Sequence, residues 1–277
     1  MPGAPDPLYI AARRVLLDAL HALRDHIPAI VLVGAQAVYL HAGEGDLAVA
    51  PFTTDGDLAL DPRRLGPEPL LEQALERGGF RPGAAVGHWE RSIDVEGVPR
   101  TVAVDLLVPE SLGGAGRRGA RIPPHAKTVA RKAIGLEATL VDYDVTTIGA
   151  LDPADPRRFE LAVAGPSALL VAKVHKMLDR AESADRARDK DALDVYRLLR
   201  ALPTGELVRR FRVLLADETA RGAAAHALEE FPRLFGSASA VGVGMAVRAA
   251  VPLERGDTLA ASFAVLTNDL IDEMRKA

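Results

Sequence analysis

The chain has 277 residues, 48% of them apolar and 26% charged, which is typical of a folded globular protein and excludes a disordered or fibrous one. It has no cysteine, which excludes disulfides, cysteine-ligated metals and a thiol nucleophile. The net charge is −4, so a surface that is basic throughout is excluded, although a local basic face is not.

The N-terminus lacks the pattern of a signal peptide, and no run of about 18 apolar residues is present. We therefore expect a cytoplasmic protein with no membrane partner.

Apolar periodicity predicts mixed helices and strands in the first part of the chain. In chain order the expected elements are a helix over 8–26, a strand over 30–33, a helix over 36–41, a strand over 53–60, a helix over 70–77, strands over 87–95 and 101–108, and one or two strands within 138–148. Glu96 and Gly97 join the 87–95 and 101–108 strands as a hairpin.

The composition changes after a turn-rich stretch over 151–158, and long apolar periods then predict helices. These expected helices cover 168–180, 189–200, 205–215, 223–235 and 259–275. We therefore predict two domains. An α/β domain with a short mixed sheet spans 1–160, and a C-terminal helical bundle spans 161–277.

The sharpest feature of the sequence is the segment Asp55-Gly56-Asp57 at the start of a predicted strand. Alternate residues of a strand share a face, so Asp55 and Asp57 would point the same way, roughly 6.5–7 Å apart. Neighbouring carboxylates repel each other unless a cation lies between them, and Mg²⁺ prefers such oxygen ligands. The alternative is that this segment forms a turn.

Asp105 lies within the apolar strand 101–108, on the side opposite Val102, Val104 and Leu106. A carboxylate in such surroundings is costly unless it is paired or bound to a metal. If this strand lies beside the Asp55 strand, three carboxylates converge. Otherwise Asp105 caps a strand end.

A strand also ends at Gly34-Ala35, where a helix begins. Backbone N–H groups at the start of a helix can bind a phosphate, and glycine permits a close approach. The segment Gly34-Ala35 therefore indicates that the protein binds a nucleotide.

The order of strand, Gly-Ala, helix, Thr-x-Asp-x-Asp strand, hairpin and Asp resembles the layout of the DNA polymerase β-like nucleotidyltransferases. The chain is similar in particular to the AbiEii/MenT group of bacterial nucleotidyltransferase toxins. Two later segments, 172–180 and 188–196, resemble the Lys…Arg helix of that group and the acidic helix that follows it. The resemblance covers about residues 30–200. Gly34-Ala35 departs from the usual Gly-Gly or Gly-Ser, so a serine hydroxyl that could contact the triphosphate is absent.

The resemblance implies transfer of NMP from an NTP to an RNA acceptor, in the first place tRNA, with release of pyrophosphate. It also implies a toxin that is neutralised by a cognate antitoxin protein. The metal would be Mg²⁺, with Mn²⁺ as a substitute. The helical half would complete the active-site cleft.

The resemblance also implies roles for particular residues. Asp55 and Asp57 would hold the metal, while Asp105 would bind a second ion and help to activate the incoming hydroxyl. Lys173 would neutralise the triphosphate, and Asp191 or Asp194 would orient that lysine or the nucleotide. The nucleotide-binding residues would be Gly34, Ala35, Lys173 and Arg180.

The stretch 113–135 is basic and contains no acidic residue. It could contact an RNA backbone or be a solvated loop; its basic residues are Arg117, Arg118, Arg121, Lys127, Arg131 and Lys132.

Two other interpretations of the function stay open. One is transfer to a small molecule or a protein side chain, and the other is a catalytically silent nucleotide-binding regulator. His41, His88 and His125 are expected to be structural or exposed, and Trp89 to lie in the core.

Overall fold

The computed structural model describes residues 6–43, 55–179, 186–250 and 255–276, with only the backbone described at 186–188. These residues form two compact units. The first takes its residues from 1–36, 52–133 and 143–163, and the second from 37–51, 134–142 and 164–277.

In the described part of the chain, eight strands form one mixed sheet with the order β3-β4-β5-β2-β1-β8-β7, and β6 pairs with β5. Their bounds are β1 Ile30–Val33, β2 Asp55–Leu60, β3 Arg81–Pro82, β4 His88–Val95, β5 Val98–Pro109, β6 Arg131–Ala133, β7 Tyr143–Gly149 and β8 Arg158–Ala164. The pairs β2–β5, β1–β8 and β5–β6 are parallel, whereas β1–β2, β3–β4 and β4–β5 are antiparallel. The sheet is mixed, as predicted, but it is larger than the short sheet that we expected.

Three helices begin in the first unit: α1 Pro7–Ala22, α2 Gly34–Ala42 and α3 Leu71–Arg77. The Asp6 carboxylate caps α1 by accepting a hydrogen bond of 2.7 Å from the Leu8 N–H. The buried apolar stripe of α1 packs against β2, β4 and β5. The expected helix over 8–26 is too long, because α1 ends at Ala22 and a 3₁₀ helix, Arg24–Ala29, contains Pro28.

The second unit is helical after residue 164, where the sequence predicts a run of helices. Its helices are α4 Pro166–Asp179, α5 Arg186–Ala201, α6 Thr204–Ala216, α7 Arg221–Phe235, α8 Val241–Ala250 and α9 Gly256–Arg275. Phe211, Phe231, Phe235 and Phe263 are fully buried in ring-to-ring contacts. No described helix is both long enough and apolar enough to cross a membrane.

Several further elements differ from the sequence predictions, among them the short strands β3 and β6, which were not predicted. The stretch 138–148 begins in a 3₁₀ helix, Leu136–Leu140, before β7 starts at Tyr143. Strand β8 and helix α8 were not predicted, since β8 follows a turn-rich stretch and α8 contains two glycines. Residues 53 and 54 of the expected 53–60 strand lie outside the described residues.

Candidate active site

The register of the sheet places Asp57 and Asp105 side by side. Strands β2 and β5 are parallel neighbours in which Asp57 pairs with Asp105, and β4 places His88 opposite Asp105 on the other side. Side chains of residues paired in this way point to the same face of a sheet. The strand that carries Asp105 therefore lies beside the Asp55 strand, and the reading of residues 55–57 as a turn is wrong.

Asp55 lies two residues before Asp57 on β2 and shares its face. Gly56 points to the other side, where a Cβ would lie 3.2 Å from the Leu16 Cδ1 of α1. We call the side formed by Asp55, Asp57 and Asp105 the carboxylate face. It is thus the face of the sheet that α1 does not cover.

Gly34 fits closely against Asp57. Its φ is +70°, and a Cβ at this position would overlap the Asp57 carboxylate. Only glycine can satisfy both the left-handed backbone and the close approach. The sequence predicts that Gly34 lets a phosphate approach the start of α2. In the structure, the group closest to the position of its Cβ is the Asp57 carboxylate of β2. Ala35, the next residue of α2, is half-buried.

Asp105 carries two cationic or polar partners. Its Oδ1 lies 2.6 Å from His88 Nδ1, and its Oδ2 accepts a hydrogen bond of 3.0 Å from Arg131. The other ring nitrogen of His88 lies 3.4 Å from the Glu90 carboxylate. Sequence reasoning missed His88 as part of this face. The signal was available, because the two-residue turn Glu96-Gly97 sets the hairpin register that brings His88 opposite Asp105.

A buried hydrogen-bond chain holds the start of β2. The Gln36 side chain of α2 accepts a hydrogen bond of 2.9 Å from Arg13 Nε and donates one of 3.2 Å to the Asp55 carbonyl. Arg13 also donates to Tyr9 and to the Gly149 carbonyl. Arg13 and Gln36 are both buried, so this chain fixes the backbone that carries Asp55. The sequence alone gave no sign of it.

The carboxylate face offers the oxygen ligands that Mg²⁺ takes, and this ion binds through one or two carboxylates together with water and phosphate oxygens. Asp55 and Asp57 fit that requirement in number and chemistry. Both oxygens of Asp105 are already hydrogen-bonded. Among the described residues, no group of three or more His, Asp or Glu side chains is arranged as a metal site.

The second unit contains the other predicted acidic cluster. The Lys173 Nζ of α4 donates to Asp191 at 2.8 Å and to Asp194 at 2.6 Å, both on α5. Arg197 donates to the second oxygen of Asp194 at 2.8 Å. We call these four residues the buried ion network, since each of them is at most 6% exposed. The sequence left Asp191 and Asp194 as alternatives for orienting Lys173, and the structure shows that both contact it.

Burial lowers the pKa of the Lys173 ammonium, but Asp191 and Asp194 more than reverse this, so the pKa lies above its ordinary value. Lys173 therefore stays charged and bonded to both carboxylates. These hydrogen bonds hold α4 against α5. Its predicted contact with a triphosphate stays a prediction, and Arg180 lies outside the described residues.

The predicted basic stretch divides into two groups. Arg117, Arg118, Arg121 and Lys127 are exposed. Arg131 and Lys132 belong to β6 and form ion pairs, Arg131 with Asp105 and Lys132 with Glu110 at 2.7 Å. Trp89 is buried as expected, and its indole N–H donates to the Val129 carbonyl.

No protein-family model matches the chain, and no curated protein matches it. Among solved structures it is similar to JHP933 from Helicobacter pylori, with a TM-score of 0.48 and 12% identity over 98% of this chain and 95% of that one. It is also similar to a protein described as "putative nucleotidyltransferase from H. pylori", with a TM-score of 0.39 and 10% identity over 97% and 96% of the two chains. Function depends on the residues of the site rather than on the fold.

Proposed function

We propose that the protein is a metal-dependent nucleotidyltransferase that transfers NMP from an NTP to a hydroxyl group. The observation that carries this proposal is the register that places Asp57 beside Asp105, with Asp55 on the same face. Asp57 is buried and Asp55 and Asp105 are half-buried here, and the mutual repulsion of neighbouring carboxylates disfavours this arrangement in the absence of a cation.

Asp55 and Asp57 would hold Mg²⁺, which Mn²⁺ could replace. The bound metal would neutralise charge on the triphosphate. The backbone N–H groups at Gly34 and Ala35 would support a phosphate at the start of α2. The hydrogen-bond chain from Arg13 through Gln36 would keep the β2 backbone in place while the nucleotide binds.

In the proposed reaction, the acceptor hydroxyl oxygen attacks the α-phosphorus and the bond to the β-phosphate oxygen breaks. Pyrophosphate leaves, and the hydroxyl proton passes to the Asp105 carboxylate. His88, 2.6 Å from Asp105, would hold that carboxylate in position. Asp105 must release Arg131 to accept the proton at Oδ2. Lys173, Asp191 and Asp194 would hold α4 against α5.

We propose RNA as the acceptor, in the first place tRNA. The exposed Arg117, Arg118, Arg121 and Lys127 support an RNA-binding surface. A toxin role and a cognate antitoxin rest on the resemblance to the AbiEii/MenT group alone. The second candidate is transfer to a small molecule or a protein side chain, which would leave these four residues without a role in activity.

The test is a labelling assay with Mg²⁺, each α-³²P-labelled NTP, and either total RNA or the protein alone. We expect label on tRNA-sized RNA, with a loss of about a thousandfold or more in Asp57→Asn and Asp105→Asn. The matched control is Asp269→Asn, which removes the same charge from an exposed position on α9 and should label like the unsubstituted protein. Label on protein would favour the second candidate. Equal labelling by all three variants would contradict the proposal.

A further inference from the structure

Arg131 is placed to bind more than Asp105. It begins β6, whose backbone pairs with β5 at Leu107 and with Gly119 on its other side. Leu107 lies two residues beyond Asp105, so Arg131 points to the carboxylate face. Its side chain is 30% exposed. The backbone is therefore held on both sides while the guanidinium reaches an accessible surface.

The Arg131 guanidinium has hydrogen-bonding capacity to spare. Within the part of the chain that the structure describes, it makes a single hydrogen bond, from one terminal nitrogen to Asp105 Oδ2. An arginine side chain has five N–H donors in a planar fork. Arg63, by contrast, donates two hydrogen bonds to the Asp61 carboxylate, from Nε at 2.9 Å and from a terminal nitrogen at 3.0 Å. Arg131 leaves the rest of its fork open to another anion.

The next residue of β6, Lys132, has other partners. It donates to Glu110 and to the Gly114 carbonyl, and its side chain is 5% exposed. A polyphosphate brought to a face that carries three carboxylates needs a cation from the protein as well as the metal.

We propose that Arg131 is the phosphate-binding arginine of this site, pairing with Asp105 in the free protein and with the triphosphate in the complex. A planar guanidinium suits phosphate oxygens better than an ammonium does, because it can donate two parallel hydrogen bonds. Release of Asp105 by Arg131 also frees the oxygen that takes the hydroxyl proton. The inference rests on the proposed nucleotidyltransferase function and assigns Arg131 a role other than RNA binding.

The test is binding of Mg²⁺-NTP, and of the matching NDP and nucleoside, to the full chain by titration calorimetry. We expect Arg131→Gln to weaken NTP binding about tenfold or more, NDP binding less, and nucleoside binding not at all. Arg131→Lys should recover part of the loss. Arg100→Gln is the matched control, because it removes the same charge from an exposed position on β5 whose side chain points to the other face. Circular dichroism confirms that each variant is folded.

A double variant separates phosphate binding from simple neutralisation of Asp105. If Arg131 binds phosphate, Asp105→Asn combined with Arg131→Gln binds NTP about tenfold more weakly than Asp105→Asn alone. Equal NTP affinities of the double variant and of Asp105→Asn would mean that Arg131 only neutralises the Asp105 carboxylate, which both variants lack. That result would overturn the inference and leave the proposed function intact. Failure of the unsubstituted protein to bind any Mg²⁺-NTP would overturn both.

Discussion

The carboxylate face and the buried ion network use the same residue types in opposite ways. In the buried ion network, two cations face two carboxylates, and all four side chains are nearly inaccessible. On the carboxylate face, three carboxylates are accompanied by Arg131 and by His88, and Asp105 is 14% exposed in its side chain. The buried ion network pairs its charges in the interior, whereas the carboxylate face brings three carboxylates to one side of a sheet.

This difference separates a structural role from a binding role. A buried ion pair contributes little net stability when complete, but removal of one partner leaves an uncompensated charge in the interior. A cluster of neighbouring carboxylates that is partly open to solvent can take a cation from solution. We therefore expect substitutions in the buried ion network to change folding, and those on the carboxylate face to change ligand binding.

The largest effect on stability should come from Lys173→Met. The substitution leaves Asp191 and Asp194 buried without their shared cation, so the free energy of unfolding should fall by about 3–5 kcal/mol. Urea denaturation measures this. Lys176→Met is the control, because Lys176 lies 3.6 Å from Asp191 but its side chain is 36% exposed, and it should cost about 1 kcal/mol or less. Similar losses of unfolding free energy in Lys173→Met and Lys176→Met would contradict a special structural role for the buried ion network.

Gly34→Ala should have the next largest effect. The added methyl group meets the Asp57 carboxylate, and a φ of +70° is unfavourable for alanine, so we expect a loss of about 1–3 kcal/mol together with loss of nucleotidyl transfer. The control is Gly222→Ala in α7, where nothing lies within 4 Å of the new Cβ. That variant should gain about 0.5–1 kcal/mol, since alanine favours a helix. Thermal unfolding of the pair tests both signs.

Each unit should also lose stability in mild acid. Burial lowers the pKa of His125 in the first unit and of His175 in the second below the ordinary 6.5. The unfolded chain then binds protons that the folded chain does not, so stability is full above about pH 6.5 and falls as the pH drops towards the folded-state values. Urea titrations at pH 8 and pH 5.5 measure the loss. His125→Gln and His175→Gln should each reduce the pH dependence, and an unchanged slope would contradict this origin.

The smallest effect on stability should come from Asp57→Asn. The substitution removes one of two carboxylates that lie opposite each other on β2 and β5, where like charges destabilise a sheet, so the free energy of unfolding should stay within about 1 kcal/mol of the unsubstituted value. Nucleotidyl transfer should nevertheless be lost. A loss of stability as large as that of Lys173→Met would show that the carboxylate face, too, is mainly structural.

Local pattern predicted the parts of the site that depend on one strand at a time. Alternation placed Asp55 and Asp57 on one face and Asp105 opposite its apolar neighbours, and the structure confirms both. The arginine that pairs with Asp105 was assigned to an RNA surface, because the pairing of β6 with β5 joins residues far apart in the chain. Likewise, no local sequence pattern shows that the Asp57 carboxylate lies where a Gly34 Cβ would be.

The position of β8 has a consequence for synthesis on the ribosome. Strand β8 lies between β1 and β7, although it is the last strand in the chain. Until it emerges, β1, whose four residues are all buried in the finished protein, presents an open apolar edge to solvent and to other nascent chains. A message truncated before residue 158 would encode a sheet with that edge permanently open. Such a fragment should aggregate or bind chaperones, whereas a chain that extends past residue 164 can close the gap.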